Sequence, residues 1–308
     1  RMTDKQHPSR FATNAVHSGT QHIGDAVNTP IFQSSTYKLT DERYAGWAAG
    51  AQHTLLYARL STVNSDAVAQ KLIALEGGED AETFSSGMGA ISATLMALLN
   101  QGDHMVASAD IYGGTYGLLT EEFPRFGIST TMADMRDPAS YEAAIQDNTK
   151  LLYIETLTNP VLKVCDIEAM ADVAKRHNLL LLIDNTFASP WGCKPLDMGV
   201  DLVLHSTTKY LGGHSDILGG AVVGSKDLIA QIFMRKVHFG AAPDPHSCYL
   251  LERGMRTLDV RMPRICENAH LLAQRLEGHG AIERVYHSKL ESHPDFEIAE
   301  RILPRGSG

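Results

Sequence analysis

The stretch DIEAMADVAKRHNLLLLIDNT, residues 166–186, holds two periodicities back to back. DIEAMADVAKRHN spaces its apolar residues along one stripe and predicts a helix with Asp166 at its N-cap. LLLLIDNT, 179–186, is instead a continuous apolar run closed by Asp184 and Asn185. Continuous apolarity, without polar alternation, is what a strand covered on both faces requires, and such strands belong to mainly parallel sheets flanked by helices.

The alternation extends in both directions. HMVASAD (104–110), STTMADM (129–135), LLYIETLTNP (151–160), DLVLHST (201–207) and AVVGS (221–225) are strand candidates. TYGLLTEEFPRFG (115–127) and PASYEAAIQ (138–146) predict helices between them, the second with proline in its first turn. Upstream, SDAVAQKLIALEGG (65–78) predicts a helix stopped by a glycine pair. AETFSSGMGAISATLMALLNQG (81–102) predicts a strand, a turn at Ser85–Gly87 and a second helix. The expected organisation is an irregular N-terminal arm over 1–60 and a three-layer α/β domain over 61–245. Residues 246–308 are expected to supply a linking helix, broken near Pro263, and the start of a C-terminal α+β domain that the chain does not complete.

Composition narrows the function classes. The 308 residues are 44% hydrophobic, ample for a packed core. A net charge of −9, with no basic run or arginine stripe, excludes a phosphate-backbone partner. No segment approaches the length of apolar sequence that a membrane span needs, and the N-terminal residues lack a signal-peptide core, so a cytoplasmic protein is expected. Cys165, Cys193, Cys248 and Cys266 are far apart without a CxxC pair, which suits reduced thiols. The fourteen histidines show no ligand spacing, so no metal site is expected.

Three strand candidates end in polar residues. LLYIE leads into Thr158 and Asn159, LLLLI into Asp184 and Asn185, and DLVLH into Ser206, Thr208 and Lys209. Ligands of parallel α/β sheets bind at the carboxyl ends of strands, so these residues are candidates for one site. Taken alone, Lys209 reads as a solvated turn residue and Asp184 as a cap. Together, an amine and a carboxylate suit pyridoxal phosphate: the lysine bonds the aldehyde, and the carboxylate keeps the ring nitrogen protonated. SSGM opening a helix supplies an anion site, in which Gly87 admits the backbone and the amides of Met88 and Gly89 face a phosphate. The helix dipole adds about 0.3–2 kcal/mol, and charge-assisted bonds from Ser206 and Thr208 about 1.5–3 kcal/mol each. GMGAIS also resembles a degenerate dinucleotide fingerprint, but a nicotinamide enzyme leaves Lys209 and its hydroxyl neighbours unexplained.

SSGMGA, DIYGGTYG, ETLTNP, IDNTFASP and HSTTKYLGGHSD occur in the order and spacing of the Cys/Met-metabolism family of pyridoxal-phosphate enzymes, which the chain resembles over nearly its whole length. That family includes cystathionine γ-lyase, cystathionine γ-synthase, methionine γ-lyase and the homoserine-ester sulfhydrylases. The resemblance implies an aminotransferase-like fold (fold type I) and a homotetramer built from catalytic dimers. Under it, Lys209 matches the Schiff-base and proton-moving lysine, Asp184 the ring-nitrogen carboxylate, Asn159 the group near the ring oxygen and Tyr112 the stacking aromatic. Gly87, Met88, Ser206 and Thr208 match the phosphate cradle, and Tyr57 and Arg59 the pair that reaches the neighbouring subunit's phosphate.

The implied reaction is γ-elimination or γ-replacement on a sulfur amino acid or a homoserine ester. An O-acylhomoserine sulfhydrylase, or a catalytically impaired cofactor-carrying assembly protein, is the alternative. Two departures stand out. Ser61-Thr62-Val63-Asn64 replaces the family's Asn-Pro-Thr, and Gly114 stands where methionine γ-lyases carry cysteine, which favours cystathionine-type chemistry. The family's substrate-carboxylate arginine lies beyond the matched region, so no residue here is given that role.

Overall fold

Thr62 explains how the first long helix starts. Its Oγ1 accepts from the Ser65 amide at 3.0 Å, while Ser65 Oγ accepts from the Thr62 amide at 2.9 Å, a reciprocal capping box. The helix ends at Gly77, whose φ of 91° is left-handed. Asn64 is buried and ties down the preceding chain, accepting from the Phe32 amide (2.9 Å) and donating to Pro30 O (3.0 Å). The residues that depart from the family pattern here thus cap a helix and pin the arm.

The computed structural model describes residues 8–51 and 53–308; the arm positions 1–7 and 52 lie outside the described residues. In chain order the elements are α1 (Pro8–His17), α2 (Asp41–Ala48), α3 (Val63–Glu76), β1 (Asp80–Phe84), α4 (Gly87–Leu98), β2 (His104–Ser108), α5 (Gly113–Gly117) and β3 (Ser129–Ala133). They continue with α6 (Pro138–Ala143), β4 (Thr149–Glu155), α7 (Ile167–Arg176), β5 (Leu180–Asp184), α8 (Ser189–Gly192), β6 (Leu202–Ser206) and β7 (Gly220–Gly224). The last are α9 (Lys226–Phe239), α10 (Pro245–Met255), α11 (Leu258–Glu277) and α12 (Phe296–Ile302). The chain forms two compact units, Arg1–Leu98 with Leu204–Asp259 and Leu99–Val203 with Val260–Gly308.

In the first unit β1 and β7 pair antiparallel, from Asp80 opposite Gly224 to Phe84 opposite Gly220. The mainly parallel expectation holds for β2, β3, β4 and β5, and this antiparallel pair makes the arrangement mixed. Helix α3 packs on β1 and α10, and α4 packs on α9. Lys71 of α3 is fully buried and donates to Ala15 O at 2.9 Å, where the carbonyl end of α1 stabilises a cation. Burial pulls its pKa down to about 8. The arm is not irregular throughout, since it carries α1 and α2. Thr40 caps α2, and Asp41 and Glu42 fill its first turn.

In the second unit the strand order is β5-β4-β2-β3, all parallel. Ile154, Leu152, Ile183 and Leu181 of its strands pack with Ile167, Met170 and Val173 of α7 and with Ile302 and Leu303 at the end of α12. Asp166 caps α7 as its sequence predicts, accepting from the Ala169 amide at 3.3 Å. The helix expected over 115–127 is instead α5, a π turn (Leu118–Glu122) and a 3₁₀ turn (Phe123–Phe126). Pro124 has no amide to offer, so the regular ladder cannot pass through it. The expected break at Pro263 is also displaced: α11 runs through Pro263, and the chain breaks at Arg256–Thr257. There Thr257 Oγ1 bonds Gly254 O at 3.0 Å, and a Cβ on Gly254 would lie 2.2 Å from Gly212 O, so this turn is fixed by packing.

Candidate active site

In the first unit β6 ends at Ser206, and Thr207–Tyr210 turn sharply behind it. The turn is closed by Gly212 N donating to Thr207 O (2.8 Å) and Gly213 N donating to Lys209 O (2.7 Å). Thr208 Oγ1 accepts from the Gly219 amide at 3.1 Å. This leaves Lys209 exposed on a rigid turn between two half-buried hydroxyl residues and the Gly212–Gly213 pair. The start of α4 comes up against the same strand end. A Cβ on Gly87 would sit 2.8 Å from Ser206 Cβ, so only glycine lets this helix start approach. A Cβ on Gly220 would lie 2.1 Å from Ser86 O. Ser86 Oγ accepts from the Gly89 amide at 3.0 Å, so that amide, expected to face a phosphate, is engaged by its own N-cap.

Also in this unit, the Arg59 guanidinium lies 5.4 Å from the Tyr57 ring centroid, and Arg59 Nη1 donates to Val237 O at 2.7 Å. His205, just before Ser206, is buried with Nε2 2.5 Å from Glu76 Oε1 at the end of α3. Gly87, Met88, Ser206, Thr208, Lys209, Tyr57 and Arg59 all belong to this unit.

The second unit carries Asp184, Tyr112 and Asn159. Asp184 ends β5, and its Oδ1 accepts from the Thr186 amide at 3.0 Å, so it serves as a turn cap as well as a carboxylate. Beside it in register on β4 is Glu155, only 4% exposed, whose Oε1 accepts from the Tyr112 amide at 2.7 Å. Burial first, and then the charge of Asp184, push the Glu155 pKa up to about 8, against the pull of the Tyr112 amide. The Tyr112 ring stays about half exposed, at 49%. Asn159 is exposed beyond a turn in which the Lys163 amide donates to Thr158 Oγ1 at 3.0 Å. Lys163 Nζ pairs with Asp110 at 2.5 Å, fixing that turn close to the segment leading to Tyr112. Asn185 is fully buried between Thr156 Oγ1 (2.7 Å) and Cys193 O (3.0 Å).

Within the first unit, then, Gly87 meets Ser206, and Tyr57 meets Arg59; within the second, Tyr112 and Asp184 both meet Glu155. Sequence reasoning missed Glu155 and the His205–Glu76 pair. The signal for Glu155 was present, since a carboxylate closes the apolar run LLYIE just as Asp184 closes LLLLI. Within the first unit, the glycine-made approach of α4 to Ser206, with hydroxyls and an exposed amine, suits an anionic aldehyde; within the second, the strand-end carboxylate of Asp184 suits a protonated ring nitrogen, and both are groups that pyridoxal phosphate carries. Among the described residues no cluster of three or more His, Cys, Asp or Glu could hold a metal ion, and no helix is long and apolar enough to cross a membrane.

Known proteins bear on this geometry. Residues 12–308 match the family described as Cys/Met metabolism PLP-dependent enzyme. L-methionine gamma-lyase of Porphyromonas gingivalis is 42% identical over 300 residues, covering 96% of this chain and 75% of its own length. A probable cystathionine gamma-synthase of Herpetosiphon aurantiacus is 42% identical over 301 residues, covering 97% and 92%. The crystal structure of cystathionine gamma-lyase from Lactobacillus plantarum, complexed with L-serine, superimposes with a TM-score of 0.90 at 38% identity, over 97% of this chain and 76% of that one. The chain has the α/β fold of these enzymes, its cofactor is pyridoxal phosphate, and it belongs to the Cys/Met-metabolism family of PLP-dependent enzymes.

Proposed function

We propose that the chain catalyses γ-elimination or γ-replacement on a sulfur amino acid or a homoserine ester, with Lys209 as its central residue. The observation that carries this reading is the placement of Lys209: exposed, on a turn locked by its own backbone bonds, next to Ser206 where glycine alone lets α4 approach. Relatives named methionine gamma-lyase and cystathionine gamma-synthase support the reaction class.

Bound pyridoxal phosphate supplies an aldehyde that bonds amines and an electron-poor ring that takes up charge from a substrate carbon. The residues of this chain do the rest. Lys209 would hold the aldehyde, and its Nζ is the base placed to take the substrate Cα proton and to return protons to neighbouring carbons. Asp184 stabilises a proton on the ring nitrogen, Tyr112 stacks on the ring and Asn159 serves the ring oxygen. The amides of Gly87 and Met88 and the hydroxyls of Ser206 and Thr208 hold the phosphate. Tyr57 and Arg59 serve the phosphate of a neighbouring subunit, in a cytoplasmic homotetramer. The arm offers apolar surface for such a neighbour, with Val27, Leu39, Tyr44 and Trp47 all exposed.

The test is a product assay on purified protein with cystathionine, methionine, homocysteine, and an O-acylhomoserine plus thiol. Elimination releases a 2-oxo acid, ammonia and a thiol (the acid instead, from an ester); replacement forms a thioether. Lys209→Ala is expected to abolish turnover on every substrate and to remove the visible absorbance of the lysine-bound cofactor. Normal turnover by that variant would sink the assignment.

A further inference from the structure

A lysine buried deep in the first unit has no place in the chemistry above. Lys236, in the last turn of α9, is 1% exposed. Its Nζ lies 2.8 Å from Glu82 Oε1 of β1 and donates to Leu60 O at 3.0 Å. The next residue of α9 is engaged as well, because Val237 O accepts from Arg59 Nη1 at 2.7 Å. Two consecutive residues of α9 therefore bond two consecutive residues of the arm, Arg59 and Leu60, with the donors running in opposite directions. Arg59 also lies against Tyr57, 5.4 Å from its ring centroid.

A buried ammonium is costly unless it is paired and hydrogen-bonded. Glu82 and the Leu60 carbonyl meet that requirement, and one of the two bonds is made to the arm backbone directly after Arg59. The arginine is exposed and long, and would sample many rotamers if its backbone were free to move. With Leu60 O held by Lys236 and one Nη held by Val237 O, its remaining N–H groups face in a restricted set of directions.

We infer that Lys236, neutralised by Glu82, is a positioning residue that sets the Tyr57–Arg59 pair for phosphate binding. This inference rests on the role proposed above for that pair. It extends the phosphate-binding apparatus to an ion pair on α9 and β1 that touches no cofactor.

The experiment is a four-corner comparison of pyridoxal-phosphate dissociation constants, read by fluorescence and visible absorbance on the full-length oligomer. The corners are wild type, Arg59→Ala, the double variant Lys236→Met with Glu82→Met, and all three substitutions together. Replacing both charges by apolar groups of similar volume avoids stranding a buried carboxylate, and circular dichroism verifies folding before each titration. Loss of one charge-assisted phosphate contact predicts about tenfold weaker binding in Arg59→Ala. The ion-pair variant should lose a similar factor, and adding it to Arg59→Ala should cost little more, because both act through the same guanidinium. Losses that multiply, or an ion-pair variant with unchanged affinity, would overturn the inference while leaving the role of Arg59 intact. Unchanged affinity in Arg59→Ala alone would instead overturn the role of the pair, and the inference with it.

Discussion

Glu155 gives the sharpest test of the residues gathered in the second unit. Its carboxyl is 4% exposed, lies beside Asp184 in register and takes the Tyr112 amide at 2.7 Å. Raising its pKa from 4.5 to about 8 means that the folded chain holds a proton that the unfolded chain has released, everywhere between those values. The raised pKa therefore favours folding in full below the unfolded pKa, and the advantage is lost as pH rises through the folded one. The slope is about 1.4 kcal/mol per pH unit, so stability should fall by about 3 kcal/mol between about pH 5.5 and about pH 7.5 from this group. Glu155→Gln keeps an oxygen for the Tyr112 amide and stays neutral at every pH. Urea unfolding of cofactor-free protein, followed by circular dichroism across that range, should show the variant gaining on wild type by about that amount as pH rises. Parallel curves for the two proteins would refute the reasoning. So would a pH dependence removed by Asp184→Asn and left intact by Glu155→Gln, since the shared proton would then reside on the other carboxylate.

Two further outcomes follow from the packing of the first unit. Gly220→Ala places a Cβ 2.1 Å from Ser86 O, where backbone must move; it should destabilise the chain by about 1–3 kcal/mol and weaken cofactor retention, checked by urea unfolding and by visible absorbance after dialysis. Thr62→Ala removes the Oγ1 that accepts from Ser65 in the capping box of α3 and should cost about 1 kcal/mol, seen as a lower thermal midpoint with cofactor affinity little changed.

The family and much of the candidate site could be read along the chain because their signals are local. Apolar runs mark the buried strands, the polar residues closing them mark strand ends, and Asp166 and the Gly-Gly stop mark where helices begin and end. Lys209 and Asp184 stand where those signals put them, each just at the end of a strand. The helix α2 was legible too, in Thr40 followed by Asp41 and Glu42, but a segment rich in turn formers hid it. None of its residues is buried, and its short apolar stripe, Tyr44 and Trp47, faces outward instead of marking a core-facing helix.

By itself, then, the sequence determined which segments become buried strands, where each strand presents its chemistry and what cofactor those groups suit, since these depend on neighbours only a few residues apart. Tertiary structure alone decided that β1 runs antiparallel to β7, that Glu155 joins the Tyr112 amide to the register of Asp184, and that His205 meets Glu76. It alone decided that Lys236 closes on both Glu82 and Leu60. Those partners lie from 29 residues apart, for Glu155 and Asp184, to 176 apart, for Lys236 and Leu60. Register, burial and the need to satisfy every buried charge select such pairs only once the whole chain is packed.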